Sequence, residues 1–120
     1  MVSRALRVAA VLVSAGALLG AARWNGMNVS GTVAKDAEMH WRTPRLAPGN
    51  YQFRLTGTGG NADLYVRIGA SPTPTSFDCR PGDGDSNENC YVHLAQPAVI
   101  HVMVRGLAAM SSFRLVGRAR

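Results

Sequence analysis

The residues of this chain that could do chemistry fall into three groups. Asp78, Asp83, Asp85, Asn87 and Glu88 crowd one polar stretch, and hard carboxylate and amide oxygens are what Ca²⁺ selects. The run Asp83-Gly84-Asp85-Ser86-Asn87 imitates the start of an EF-hand loop. Glu88 then stands where the sharp turn needs Gly, and Leu94 stands where the bidentate Glu belongs. What is left is a candidate non-EF calcium site at Asp78, Asp83, Asp85 and Asn87, set against the plainer reading of a soluble acidic turn and no cofactor. The second group is His40, His93 and His101, with Ser111 and Ser112 in a turn. No His-Glu-x-x-His zinc pattern and no Gly-x-Ser-x-Gly nucleophile elbow is present, so no catalytic residue is expected. A triad is defined in space, so sequence does not test for one. The third group is Tyr65, Tyr91 and Met103 with Arg67 and Arg105, all at expected outward strand positions. Aromatic and Arg side chains are enriched at binding hot spots, which makes these five a candidate surface, although any sandwich face carries Tyr and Arg.

The elements that position these groups are strands. Leu64, Val66 and Ile68 alternate with Asp63, Tyr65 and Arg67, a period of two that fits a half-buried strand. Gly59-Gly60-Asn61 opens that run, and Gly69 with Pro72 and Pro74 closes it. Ile100, Val102 and Val104 repeat the pattern against His101, Met103 and Arg105. Five further strands are expected over residues 28–33, 38–43, 51–55, 90–94 and 112–116, with a hairpin-like connection over 107–111 and a proline-rich loop over 44–50. Tyr51, Phe53 and Leu55 point inward, and Trp41 joins Phe53 in the core. Asp63 is expected to bond the backbone N–H groups of the turn before it. About seven short strands at regular spacing predict an all-β, two-sheet antiparallel sandwich, jelly-roll-like, with no helical period beyond the first 22 residues.

Four pieces carry a family resemblance. They are Asn61-Ala62-Asp63-Leu64-Tyr65-Val66-Arg67, Phe77-Asp78-Cys79-Arg80-Pro81, Asn87-Glu88-Asn89-Cys90, and Val102-Met103-Val104-Arg105-Gly106 with Phe113-Arg114-Leu115. In order and spacing this resembles the bacterial pre-peptidase C-terminal domain, over residues 39–118 and more weakly from residue 28. The resemblance implies a small, non-catalytic β-sandwich that accompanies secreted hydrolases. Here the expectation is a stand-alone domain, with no catalytic domain ahead of it.

The remaining features bound where such a domain works. At 120 residues there is room for one domain. Residues 1–22 read as a Sec-type signal peptide: Arg4 and Arg7 start it, an apolar run over 8–19 follows, and Gly20-Ala21-Ala22 precedes the expected cut. The rival is an uncleaved anchor, for which the run is short. Residues 23–27 are a flexible lead and residues 28–120 the domain. Net charge is +6, and removal of Arg4 and Arg7 with the signal leaves +4. The surviving arginines are scattered, so a solvated sheet face is expected rather than a nucleic-acid patch. Cys79 and Cys90, in a small exported chain, predict one disulfide.

The functional expectation is therefore a non-catalytic, secreted or periplasmic accessory domain that, as the resemblance implies, aids secretion or attachment to protein or polysaccharide substrate. Its partners would be an extracellular protein or polysaccharide, or a secreted hydrolase in trans, with no nucleic acid and no stable membrane insertion after cleavage. The alternatives are a remnant or small exported hydrolase, and a structural envelope protein that assembles through a sheet edge.

Overall fold

Seven antiparallel strands form two layers, and every connection between consecutive strands crosses from one layer to the other. The computed structural model describes residues 24–82 and 86–120. The expected signal segment and its cleavage site lie outside the described residues, as do Asp83 and Asp85 of the candidate calcium set. The strands are β1 Met27–Ala34, β2 Glu38–Leu46, β3 Gly49–Gly59, β4 Ala62–Ile68, β5 Glu88–Leu94, β6 Ala98–Gly106 and β7 Met110–Ala119. One sheet has the order β1-β7-β3-β5 and the other β2-β6-β4. This is the pattern of an eight-stranded jelly roll in which the three-stranded sheet lacks one edge strand, the partner that would lie beyond β4.

All seven expected strands are present, and each runs longer than its alternating core. Pro44, expected in a loop, lies inside β2. That strand is an edge, and its register against β6 shifts between Arg42 and Arg45, so the missing amide donor disturbs no ladder. The connection over 107–111 is not a hairpin. β6 and β7 belong to different sheets, so the chain arches across the sandwich there.

The core follows from the alternation. Phe53, Leu55, Leu64, Val66, Val102, Val104 and Leu115 are at most 1% exposed and come from both inner faces. Each such side chain contributes roughly 1.5–3 kcal/mol by leaving water. Trp41 sets its ring edge-on to Phe113 at 5.9 Å. Trp24, in the segment expected to be a flexible lead, packs against Phe53 at 5.8 Å and Tyr51 at 6.0 Å. Gly57 is required at its place in β3, because a Cβ there would collide with Ser86.

The free edge of β4 is where sequence and fold meet most tightly. Ala62, Leu64, Val66 and Ile68 turn their amides away from β6, toward the missing strand. Each finds an acceptor on the crossover between β4 and β5 or on the first residue of β5. Ala62 N–H donates to Ser86 Oγ at 2.7 Å, and Leu64 N–H to Glu88 Oε1 at 2.7 Å. Val66 N–H donates to Cys79 O at 2.9 Å, and Ile68 N–H to Asp78 Oδ2 at 2.7 Å. Val66 O in turn accepts from Asp78 N–H and Cys79 N–H. Side chains and a single bridge thus replace a strand. The Cys79–Cys90 disulfide ties this crossover to β5 in the other sheet.

Closing a loop of this size stabilises by about 2–3 kcal/mol in the chain-entropy model. The double variant C79S/C90S should lose that amount in urea titration. Hydrogen exchange should speed first at the Ala62, Leu64, Val66 and Ile68 amides, ahead of the centre of β7. Uniform acceleration across both sheets would show that the crossover does not guard the edge locally.

Candidate functional site

The outer face of the three-stranded sheet is organised in cross-strand rows. Glu38, Arg105 and Asp63 form one row; His40, Met103 and Tyr65 the next; Arg42, His101 and Arg67 the third. Four of the five candidate surface residues lie here, and the structure corrects two of them. Tyr65 is 3% exposed and Met103 is fully buried. The cause is the crossover, which folds back over the face that alternation alone assigns to solvent. Phe77 packs edge-on against Tyr65 at 5.7 Å, and the Arg80 guanidinium lies 5.1 Å above the same ring. Arg105 is committed as well, donating to Glu38 Oε2 at 3.0 Å and Asp36 Oδ1 at 3.1 Å.

Asp63 is buried rather than outward, and its partner is not the expected turn backbone. Oδ2 accepts from Arg80 Nη2 at 2.8 Å, while Oδ1 has no hydrogen-bond partner among the described residues. The turn is held instead by Ser111, whose Oγ accepts from Asn61 N–H at 2.9 Å and donates to Asn61 O at 2.8 Å. That serine is fully buried. The candidate calcium ligands that are described serve the backbone. Asp78 caps Ile68, and Asn87 Oδ1 accepts from Gly57 N–H at 3.4 Å. Glu88, read as part of the same polar loop, is buried and caps Leu64.

The third row is the polar end of this face. Arg67 Nη1 donates to Ser71 O at 3.2 Å. Burial lowers the pKa of His101, and Arg42, Arg67 and His40 nearby lower it further. Glu38 is held below the usual carboxylate range first by its bond to His40 and then by Arg105, against a burial penalty. One contact was invisible in the sequence. Ser71 Oγ lies 3.2 Å from His40 Nδ1, and His40 Nε2 lies 3.1 Å from Glu38 Oε1.

Tyr91, the fifth candidate, is on the opposite side of the molecule, on the outer face of the four-stranded sheet. It is 62% exposed, with the Arg120 guanidinium 5.1 Å from its ring centre. Gln52 organises its surroundings. Gln52 Oε1 accepts from Arg118 Nε and Arg120 Nη1, each at 3.1 Å. Gln52 Nε2 donates to Asn89 Oδ1 at 2.9 Å and reaches the Tyr91 hydroxyl at 3.4 Å. Arg114 Nε donates to Asn28 Oδ1 at 3.0 Å. Gln52, Arg54, Arg114, Arg118 and Arg120 were not singled out as a group. Their parity within each strand was readable, but the order β7-β3-β5 that gathers them was not.

The profile of the bacterial pre-peptidase C-terminal domain matches residues 46–106, about half of the chain. The chain belongs to that family. Its relatives include the neutral protease of Vibrio proteolyticus, 44% identical over 54 residues, 45% of this chain and 9% of that protein. The alkaline serine exoprotease A of Vibrio alginolyticus is 34% identical over 88 residues, 72% of this chain and 16% of that protein. The chain therefore spans less than a fifth of the length of either protease. Among solved structures, that of vEP C-ter 100 superposes with a TM-score of 0.63 at 33% identity, covering 78% of this chain and 94% of the other. For a pre-peptidase C-terminal domain, the matched span holds β3 to β6, the capped β4 edge and both cysteines. Arg114, Arg118 and Arg120 lie beyond it.

The Asp63–Arg80 pair gives a direct test of the padded face. Arg80→Ala leaves a buried carboxylate without its cation and should cost about 2–4 kcal/mol in urea titration. Asp63→Asn in the same chain should recover most of that loss. Equal destabilisation by the single and double variants would show that packing over Tyr65, rather than charge, is what Arg80 supplies.

Proposed function

We propose that this pre-peptidase C-terminal domain is a non-catalytic attachment module of an exported hydrolase system, and that it holds extracellular protein or polysaccharide by surface contact. The observation that carries the reading is the exposed Tyr91 face. The crossover buries Tyr65 and Met103 on the other outward face, whereas Tyr91, beside the arginines that Gln52 orients, stays exposed. Family membership supports a role beside peptidases. The Cys79–Cys90 bridge supports an oxidising compartment, as expected for export to the periplasm or beyond. In the test, purified domain is passed over insoluble collagen, chitin, cellulose and cell-wall material. Retention on at least one matrix, reduced several-fold by Tyr91→Ala, is the expected outcome. Equal retention of variant and parent on every matrix removes Tyr91 from the site, and retention on none removes the attachment role. Tyr65→Ala belongs to the core and should lower stability instead.

A second reading has one observation in its favour, the chain of contacts from Ser71 through His40 to Glu38. Its order matches a nucleophile, base and orienting acid. Against it, Ser71 is exposed and the imidazole and carboxylate are 41% and 29% exposed, so high dielectric weakens the activation such a set depends on. The expected result is that release of p-nitrophenol from its acetate ester by the purified domain equals that of S71A. A clear drop in the variant would establish hydrolysis.

A further inference from the structure

The outer face of the four-stranded sheet carries one guanidinium in each of four successive rows. Arg114 faces Thr56, Arg54 faces Val116, Arg118 faces Gln52, and Arg120 bonds the backbone of Asn50. Same-face rows recur every second residue, about 7 Å apart, so the four charges run along roughly 20 Å of sheet. None of the chain's 7 acidic residues stands at an outward position of these strands. Among the described residues, the cations that pair with carboxylates are Arg80, Arg105 and His40, none of them on this face.

The arginines are oriented without being neutralised. Arg114 and Arg118 give their Nε–H groups to the amide oxygens of Asn28 and Gln52, which carry no charge. Their terminal nitrogens have no protein partner among the described residues. That fork is the part of a guanidinium that grips a carboxylate or sulfate through two parallel bonds. A shallow depression of about 370 Å³ lies between Arg54, Arg114 and Arg118.

We infer that this face binds an extended acidic polysaccharide, with its carboxylate or sulfate groups along the arginine row and Tyr91 flanking it beside Gln52 and Arg118. The assignment rests on the attachment reading above and names its ligand. Three features choose the occupant. The face is open and four charges long, which fits an extended linear polyanion. Apart from Val116, the neutral side chains between the arginines are amides and hydroxyls, suited to sugar hydroxyls, and one valine does not make the apolar centre of a protein interface. Tyr91 is its lone exposed aromatic ring among the described residues, so a series of bases has nothing to stack on.

The test measures binding of the purified domain to alginate, a polyuronate, with dextran as neutral polymer and oligo-dT as alternative polyanion. The domain should bind alginate and not dextran. Raising salt from about 50 to 200 mM should weaken binding about tenfold through counterion release. R114Q/R118Q should weaken it about tenfold or more at low salt, since each lost guanidinium removes a charge-assisted bidentate contact. R42Q/R67Q, the same charge loss on the other face, should change it less than about twofold. Urea midpoints confirm that both variants are folded. Absence of alginate binding, equal loss in the two variants, or oligo-dT bound as tightly as alginate overturns the assignment. Retention on collagen, chitin or cellulose without alginate binding sinks this ligand while the attachment role stands.

Discussion

Four backbone amides on one edge constrain the rest of this molecule. A sheet edge must be paired, covered or left to water, and β4 is too buried for water: Ala62, Leu64 and Val66 are fully buried. Without acceptors these donors would each cost about 1–3 kcal/mol. The chain supplies acceptors from Ser86, Glu88, Cys79 and Asp78, in the order their spacing along β4 demands. Two of the carboxylates that look like a metal set from composition are thereby explained as substitutes for a strand's carbonyls. The disulfide fixes the segment that carries them to the opposite sheet. A ninety-odd-residue sandwich buries little surface per residue, so a staple at this point reinforces the place where the ladder is incomplete.

The capped edge decides which face remains free. To reach β4, the crossover folds across the outer side of the three-stranded sheet and lays Phe77 and Arg80 over Tyr65. On that side Arg80 meets Asp63 and Arg105 meets Asp36 and Glu38, while Arg42 and Arg67 pair with no carboxylate among the described residues. Among the described residues, no comparable cover lies over the four-stranded sheet. There Gln52 and Asn28 hold the guanidinium groups by neutral oxygens. Acidic side chains thus concentrate where the fold needs acceptors, and the outer face of the four-stranded sheet carries its arginines with no acidic residue among them.

The strands were legible in the sequence because each is a clean alternation of small length, and the core residues follow from parity alone. The depth of a face was not legible. Tyr65 and Met103 alternate with core residues and so read as outward, yet a loop some dozen positions away covers them. Asp63 was misread for the same reason: its partner Arg80 arrives from that loop. Glu88 precedes Cys90 by two and shares its inward parity, a signal that could have moved it from loop to core. Layer assignment was harder still. The arch over 107–111 resembles a hairpin locally, and only the pairing of β1 and β3 with β7 shows that it crosses the sandwich.

That pairing also explains why the arginine row is a property of the folded domain and not of any segment. Arg54 reaches the row from β3, while Arg114, Arg118 and Arg120 come with β7, which closes the sheet between β1 and β3. Asn28 and Gln52, the groups that orient Arg114 and Arg118, stand on the strands to either side. A β7 displaced by one residue would turn Arg114 and Arg118 inward and Phe113 and Leu115 out. The register that buries Phe113 and Leu115 is therefore the same constraint that sets the spacing of the surface charges, so the core and the arginine row depend on one strand's alignment.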